Sequence, residues 1–248
     1  MTASTAFPSS SLQALMFGSI GTLIESSHFQ REAFNMAFRS FKVDVFWNED
    51  AYRQRLQAPG GRNRIAAELE ASGDDASEQR VEAIYEAKTS NFINRLLAGV
   101  ELRPGVLNLI EQANRVGIPV GLVSGTDRRV IDAAIEGAVG LKADMFALIV
   151  SGADARNAKP DPELYRLAVS RLDADPTGCV AIEDTPASAM AAVRAGIPVI
   201  HTPGALTTDQ HCDAAGARMA NLDGLGIGTT ALDALRIWHG EQSRKPAA

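Results

Sequence analysis

From residue 101 to the end of the chain, short apolar runs alternate with amphipathic stretches. The runs are Ala14–Phe17, which stands apart near the start, then Val120–Val123, 147–150, 179–182 and 197–200. Most are rich in Val, Ile or Leu and are bounded by Gly, Ser, Glu or Pro. That is how strands buried on both faces read. Pro198 inside the last run marks it as an edge strand or a strand start. Between the runs, Val106–Arg115, 129–136, 162–172 and 187–195 carry apolar residues at helical spacing. Strand and helix alternating through short links predict a parallel sheet covered by helices on both faces, an α/β fold.

Residues 28–100 break that rhythm. They hold helical patterns at 29–41, 49–56, 64–71 and Glu78–Leu97, separated by Gly- or Pro-containing links, and no convincing strand. They read as a helical subdomain inserted after the first strand. The expected division is 12–27 plus 101–240 for the α/β core and 28–100 for the insertion. Residues 1–11 and 241–248 read as polar, flexible tails. Ligands of open α/β sheets bind at the carboxyl ends of the strands, so the cleft beneath the insertion is the expected site.

Composition excludes some partners. A net charge of −6 with scattered Lys and Arg argues against nucleic acid and anionic membrane surfaces. No apolar run approaches the ~20 residues of a membrane span. The first residues lack the basic and apolar regions of a secretory signal. Two cysteines, Cys179 and Cys212, argue against a disulfide framework and fit a reducing cytoplasm.

Four segments carry the chemistry-bearing residues. The first strand runs into Gly18-Ser19-Ile20-Gly21-Thr22-Leu23. The second, Val120-Gly121-Leu122-Val123-Ser124-Gly125-Thr126, ends a strand in a hydroxyl; in isolation Ser124 also reads as a helix N-cap. The third is Ala158-Lys159-Pro160-Asp161-Pro162, a stiffened turn with Pro162 suited to a first helical position. The fourth puts Glu183 and Asp184 after a buried strand, where adjacent acids need a cation nearby. A strand's period of two sets positions 18 and 20 on one face and Ser19 on the other. His211-Cys212-Asp213 has metal-type side chains without a second cluster at ligand spacing.

In this order the segments resemble the haloacid dehalogenase (HAD) superfamily. Gln30-Arg31-Glu32-Ala33-Phe34-Asn35, Phe46-Trp47-Asn48-Glu49-Asp50-Ala51-Tyr52, Gly60-Gly61-Arg62-Asn63-Arg64-Ile65, Glu86-Ala87-Lys88-Thr89 and Leu102-Arg103-Pro104-Gly105-Val106 narrow the resemblance to its CbbY-like, β-phosphoglucomutase-like branch. The resemblance implies a Rossmann-like parallel-sheet core with a C1-type helical cap. It implies phosphate contacts from Thr22, Ser124, Gly125 and Lys159, and cap contacts to a sugar phosphate from Gly61, Arg62 and Arg64. Glu183 and Asp184 stand where the family holds Mg²⁺. The family keeps aspartates as nucleophile and as general acid/base where this chain has Gly18 and Ile20.

Neither replacement does that chemistry. Gly18 has no side chain to attack phosphorus, and Ile20 transfers no proton. Unassisted phosphate-monoester hydrolysis is so slow that enzymes accelerate it by up to ~10²¹, which positioning alone does not recover. The expectation is a catalytically impaired, CbbY-like pseudo-phosphatase that retains a phosphosugar cleft, with a weakened Mg²⁺ site. The alternatives are an active sugar-phosphate or sugar-bisphosphate phosphatase with a rearranged site, and a relic with a protein-interaction surface.

Overall fold

The computed structural model describes residues 12–56, 60–226 and 228–242. The expected tail at 1–11 and the residues beyond 242 lie outside the described residues. So do 57–59 of the predicted Ala58-Pro59-Gly60-Gly61 link.

Among the described residues six strands form one sheet: β1 (Ala14–Phe17), β2 (Val120–Val123), β3 (Leu148–Val150), β4 (Cys179–Glu183), β5 (Val199–His201) and β6 (Ala217–Arg218). Their order is β3-β2-β1-β4-β5-β6, and every pairing is parallel. The helices are α1 (Ser27–Ser40), α2 (Glu49–Arg55), α3 (Gly61–Ser72), α4 (Glu78–Leu97), α5 (Val106–Arg115), α6 (Arg128–Gly137), α7 (Glu163–Leu172), α8 (Pro186–Arg194) and α9 (Ala231–Gln242). The α/β class and its parallel sheet are as the apolar runs predict.

Alternation along the strands divides the core. Leu15, Phe17, Val120, Leu122, Val180 and Ile182 face α5, α6 and α9, whose Ile110, Ile131 and Leu235 lie in the same cluster. Ala14, Met16, Cys179, Ala181 and Val199 face α7 and α8. The second face is lined with smaller residues because Ala189, Ala191 and Ala192 bring α8 close to it. All four residues of β1 and all five of β4 are buried, which is why these segments carry no polar alternation.

The sheet departs from the sequence reading on its right-hand side. β5 begins just after Pro198, which bears out the strand-start alternative, and the Pro198 carbonyl accepts from Ala181 N at 2.9 Å. β5 is not an edge, because the unpredicted two-residue β6 pairs outside it. α9 was also unpredicted. It occupies 231–242, so Glu241 and Gln242 close a helix and do not begin a tail.

α1 to α4 follow β1, and their ends are divided between two cores. Phe29 and Ala33 of α1 and Phe92 and Leu96 of α4 pack into the cluster under the sheet. Phe34 and Phe38 of α1 and Ile84 of α4 pack with Trp47, Tyr52, Ile65 and Leu69. Asn35 secures this second cluster by exchanging two hydrogen bonds with the Trp47 backbone, at 2.8 and 2.9 Å. Trp47 itself sits against Phe34 and Phe38 at centroid distances of 4.8 and 4.9 Å. Leu206, from the loop after β5, joins the same cluster and ties the sheet side of the cleft to the helical side.

Arg103 staples the strand ends together. Its Nη1 donates to the carbonyls of Gly21 and Thr202, both at 2.5 Å, and its Nη2 to those of Pro203 and Ala220 at 2.9 and 2.8 Å. Gly105, two residues on, holds φ +82° with the Leu222–Asp223 backbone against its Cα, a place no side chain fits. Arg103→Leu strands four carbonyl oxygens that the guanidinium now satisfies. The expected loss is about 3 kcal/mol or more of unfolding free energy, read by urea denaturation.

Candidate functional site

The order of the sheet puts β1 between β2 and β4, so the strands that follow are added on opposite sides of β1, all still parallel, and a crevice opens at its carboxyl end. The ends of β1, β2 and β4 bring Gly18, Ser19, Ser124, Gly125, Glu183 and Asp184 together on one side of a cleft of about 740 Å³. Lys159 reaches in from the turn before α7. Across the cleft stand Gln30, Phe34, Tyr52, Gly61, Arg64, Tyr85, Lys88 and Phe92 from the helices. The loop after β5 closes the rim with Gly204, Thr207, Gln210 and His211.

Ser19 lies in the site, contrary to the period-two expectation. β1 ends at Phe17, and Gly18 N makes the last sheet-like bond to Ile182 O at 3.0 Å. Beyond that the chain turns, with Gly21 at φ +86°. The alternation of a strand no longer applies, and the Ser19 hydroxyl reaches that of Ser124 at 2.6 Å. Ser124 also accepts from Thr126 N at 3.1 Å, so its N-cap-like role and its place in the cleft coexist. Ile20 packs against the core cluster under the sheet while bordering the cleft.

The floor is a buried charged cluster. Lys159 Nζ pairs with Glu183 Oε1 and donates to Val123 O at 2.9 Å. Glu183 is 1% exposed. Tyr165 of α7, a residue that the sequence presents only as helix core, donates its hydroxyl to the same Oε1 at 2.5 Å. Thr22 is buried behind the cleft lining. Its hydroxyl lies 3.4 Å from Glu183 Oε2 and 3.3 Å from Asp184 Oδ1, so it serves the carboxylates and does not border the open cleft. Burial and then the charge of Glu183 push the Asp184 carboxyl up to about 7. His201 is fully buried under this floor, with Nε2 3.1 Å from the Asp184 carbonyl, and burial lowers its pKa.

The helical side contributes cations unequally. Arg64 lines the cleft and gives Nε to the Arg55 carbonyl at 3.0 Å; burial lowers its pKa. Lys88 is 7% exposed, with Nζ 4.9 Å from the centroids of both Phe34 and Phe92 and 3.5 Å from Gln30 Oε1. Burial, then the charge of Arg64, pulls its pKa down to about 7. Arg62 turns away from the cleft. It pairs bidentately with Glu82 of α4 and lies over the Tyr85 ring at 3.8 Å, on the exposed face. Nothing in the local sequence signals that choice, because Glu82 is twenty residues away. His28 is exposed against Phe29, while Gln30 faces the cleft.

The metal question turns on the donor set. Among the described residues no group of three His, Cys, Asp or Glu side chains is placed to hold a metal ion. Among the described residues Glu183 and Asp184 are the only carboxylates lining the cleft, and Glu183 is already engaged by Lys159, Tyr165 and Thr22. Mg²⁺ demands near-octahedral oxygen geometry. This arrangement does not fit a firmly held Mg²⁺.

A parallel sheet with its cleft at the β1 switch point, a hydroxyl at the end of β2, a lysine before α7 and paired acids after β4 define a haloacid dehalogenase-like α/β hydrolase. The chain belongs to that family, whose model, described as haloacid dehalogenase-like hydrolase, matches residues 13–196. Members typically use Mg²⁺. Among curated relatives, Protein CbbY of Cereibacter sphaeroides is 36% identical over 228 residues, covering 89% of this chain and 98% of that protein. The plasmid-borne Protein CbbY of Cupriavidus necator is 30% identical over 246 residues, covering 92% and 97%. Crystal structures of CbbY from Rhodobacter sphaeroides, one in complex with phosphate and one with xylulose-(1,5)bisphosphate, match at TM-score 0.81 and 34% identity, over 87% of this chain and 96% of theirs. A β-phosphoglucomutase from Clostridium difficile shares the fold at TM-score 0.77 and 17% identity.

Lys88 sets a pH dependence. The unfolded chain holds this proton to about pH 10.5 and the folded chain only to about 7. Between those values the unfolded state binds more protons, so stability rises with pH, by at most about 1.4 kcal/mol per unit. Lys88→Met removes this slope. In urea melts at pH 7 and pH 10, the variant's advantage over wild type is largest at pH 7 and shrinks toward pH 10.

Proposed function

We propose that this chain binds a phosphorylated sugar in the cleft between the sheet and α1–α4, and does not turn it over by the aspartyl-phosphate route. Residues 28–100 act as the cap over that cleft. The observation that carries the reading is the end of β1. Gly18 and Ile20 present neither an attacking carboxylate nor a proton-transferring group there, while the groups suited to hold an anion remain.

On the sheet side, Ser19, Ser124 and the Gly125 backbone form a hydroxyl-rich rim beside Lys159. From the cap, Arg64 and Lys88 face the same space, and Gly61 lets the backbone approach. Losing two aspartates leaves the cleft two formal charges less negative, which reduces the need for a metal to offset phosphate repulsion. Binding without Mg²⁺ follows from that charge balance. The CbbY structures that bind phosphate and xylulose-(1,5)bisphosphate supply the ligand class. Thr22 and Arg62 are outside this proposed contact set, since one serves the buried carboxylates and the other pairs with Glu82.

A second reading, an active hydrolase with a rearranged site, is favoured by one observation. The Glu183 carboxylate lies beside Gly18, so an oxygen does stand near the end of β1. Against it, Lys159 and Tyr165 both hold the other oxygen of that group, and Glu183 is almost wholly buried.

Calorimetry with xylulose-(1,5)bisphosphate in EDTA tests the first reading, and a p-nitrophenyl phosphate assay with Mg²⁺ tests the second. The expected result is binding without metal and no hydrolysis above the blank. No heat and no thermal shift at millimolar bisphosphate overturns the binding claim. Hydrolysis that disappears in Lys159→Ala or Ser124→Ala overturns the claim of inactivity.

A further inference from the structure

The Glu183 side chain extends past its own strand end into the space beside Gly18. A Cβ built on Gly18 falls 2.9 Å from Glu183 Cδ and 2.6 Å from Thr22 Oγ1, and closer still to Glu183 Oε2. Real side chains do not approach at such distances. A side chain at position 18 and this carboxylate therefore exclude each other, and the glycine is what admits the glutamate.

We propose that Glu183 is the resident anion of the cleft: its carboxylate fills the place of a side chain at position 18, sits on Lys159, and has to be displaced before a phosphate oxygen can reach that lysine. The proposal deepens the binding role argued above and rests on it for the identity of the ligand. Lys159 is 8% exposed at its side chain, pairs with Glu183, donates to the Val123 carbonyl and lies over the Tyr165 ring at 4.8 Å. A buried ammonium already matched by a carboxylate is no longer a free anion receptor. Tyr165 holds the carboxylate in place through Oε1, and the Thr22 hydroxyl approaches Oε2. An incoming phosphate meets a like charge on the atom group that already satisfies Lys159.

Two measurements separate this from a merely structural or metal-binding glutamate. The first is a stability cycle with no ligand present. Gly18→Ala is expected to lower the thermal midpoint of the wild type, because its Cβ collides with the carboxylate. In the Glu183→Ala background the same change is expected to cost clearly less, since the carboxylate is gone and only the Thr22 hydroxyl has to turn aside. An equal cost in both backgrounds overturns the proposal.

The second is calorimetry of inorganic phosphate in EDTA with wild type and Glu183→Gln, which keeps shape and removes charge. The variant is expected to bind about tenfold tighter, the scale set by one like charge a few ångströms away in a partly screened site. A glutamate whose role is to hold Mg²⁺ gives no such gain without metal. Equal or weaker binding by Glu183→Gln overturns the proposal, and this arm decides it even where Glu183→Ala fails to fold. The two claims fail separately. Bisphosphate binding by wild type with no gain in Glu183→Gln removes the resident anion and keeps the proposed function. A gain in Glu183→Gln with no bisphosphate binding by wild type does the reverse.

Discussion

The buried ion pair between Lys159 and Glu183 is the interaction on which the site depends. Neither group has solvent to fall back on, at 8% and 1% side-chain exposure. A buried pair contributes little net stability, yet removing one partner leaves the other uncompensated at a cost of several kcal/mol. The pair therefore dictates where its neighbours go. Tyr165 turns its hydroxyl toward Glu183, Thr22 leaves the cleft to stand behind the carboxylates, and burial together with the neighbouring negative charge pushes the Asp184 carboxyl up to about 7. The backbone follows the same logic. The Val123 carbonyl at the end of β2 accepts from Lys159, which locks the turn before α7 against the sheet.

A second constraint governs how the cleft is closed. α1 and α4 each have one end in the sheet-side core and the other in the aromatic cluster around Trp47. The loop after β5 reaches across to the same cluster through Leu206, and Glu25 accepts from Ala205 N at 2.8 Å beside it. Burial raises the Glu25 carboxyl pKa, and the hydrogen bonds from Ala205 and Ser27 outweigh that and lower it. Arg103 fastens the turn after β1 to the chain leaving β5. The two walls of the cleft are thus coupled at two points, shared helices and a hydrophobic latch, while the polar staple holds the sheet side together. A sheet edge with four-residue strands gains from this, since short strands alone bury little area.

Much of this was legible beforehand. The runs at β1, β2 and β4 have no polar alternation because both faces are buried, and they read as strands for that reason. Glu78–Leu97 and Val106–Arg115 were readable to the residue, because long or strongly amphipathic helices carry their own period. β6 was not, since two residues carry no period at all. α9 follows a stretch rich in Gly and Thr that reads as loop and hides its start. The period of two puts Ser19 on the wrong face because Ser19 lies two residues past the end of β1, where strand alternation no longer holds. Its neighbours in the chain point Arg62 at the cleft, and Glu82 on another helix claims it instead.

Local chemistry determined the fold class, the family and the absence of a carboxylate at positions 18 and 20, because those depend on residue type and on spacing along the chain. Tertiary structure decided what became of the vacated space. Only when β4 lies beside β1 does a glutamate 165 positions after Gly18 come close enough to fill it, and only then does Tyr165 acquire a partner. Charge neutralisation across strands is a property of distance in space, which a sequence does not carry until the sheet order is known.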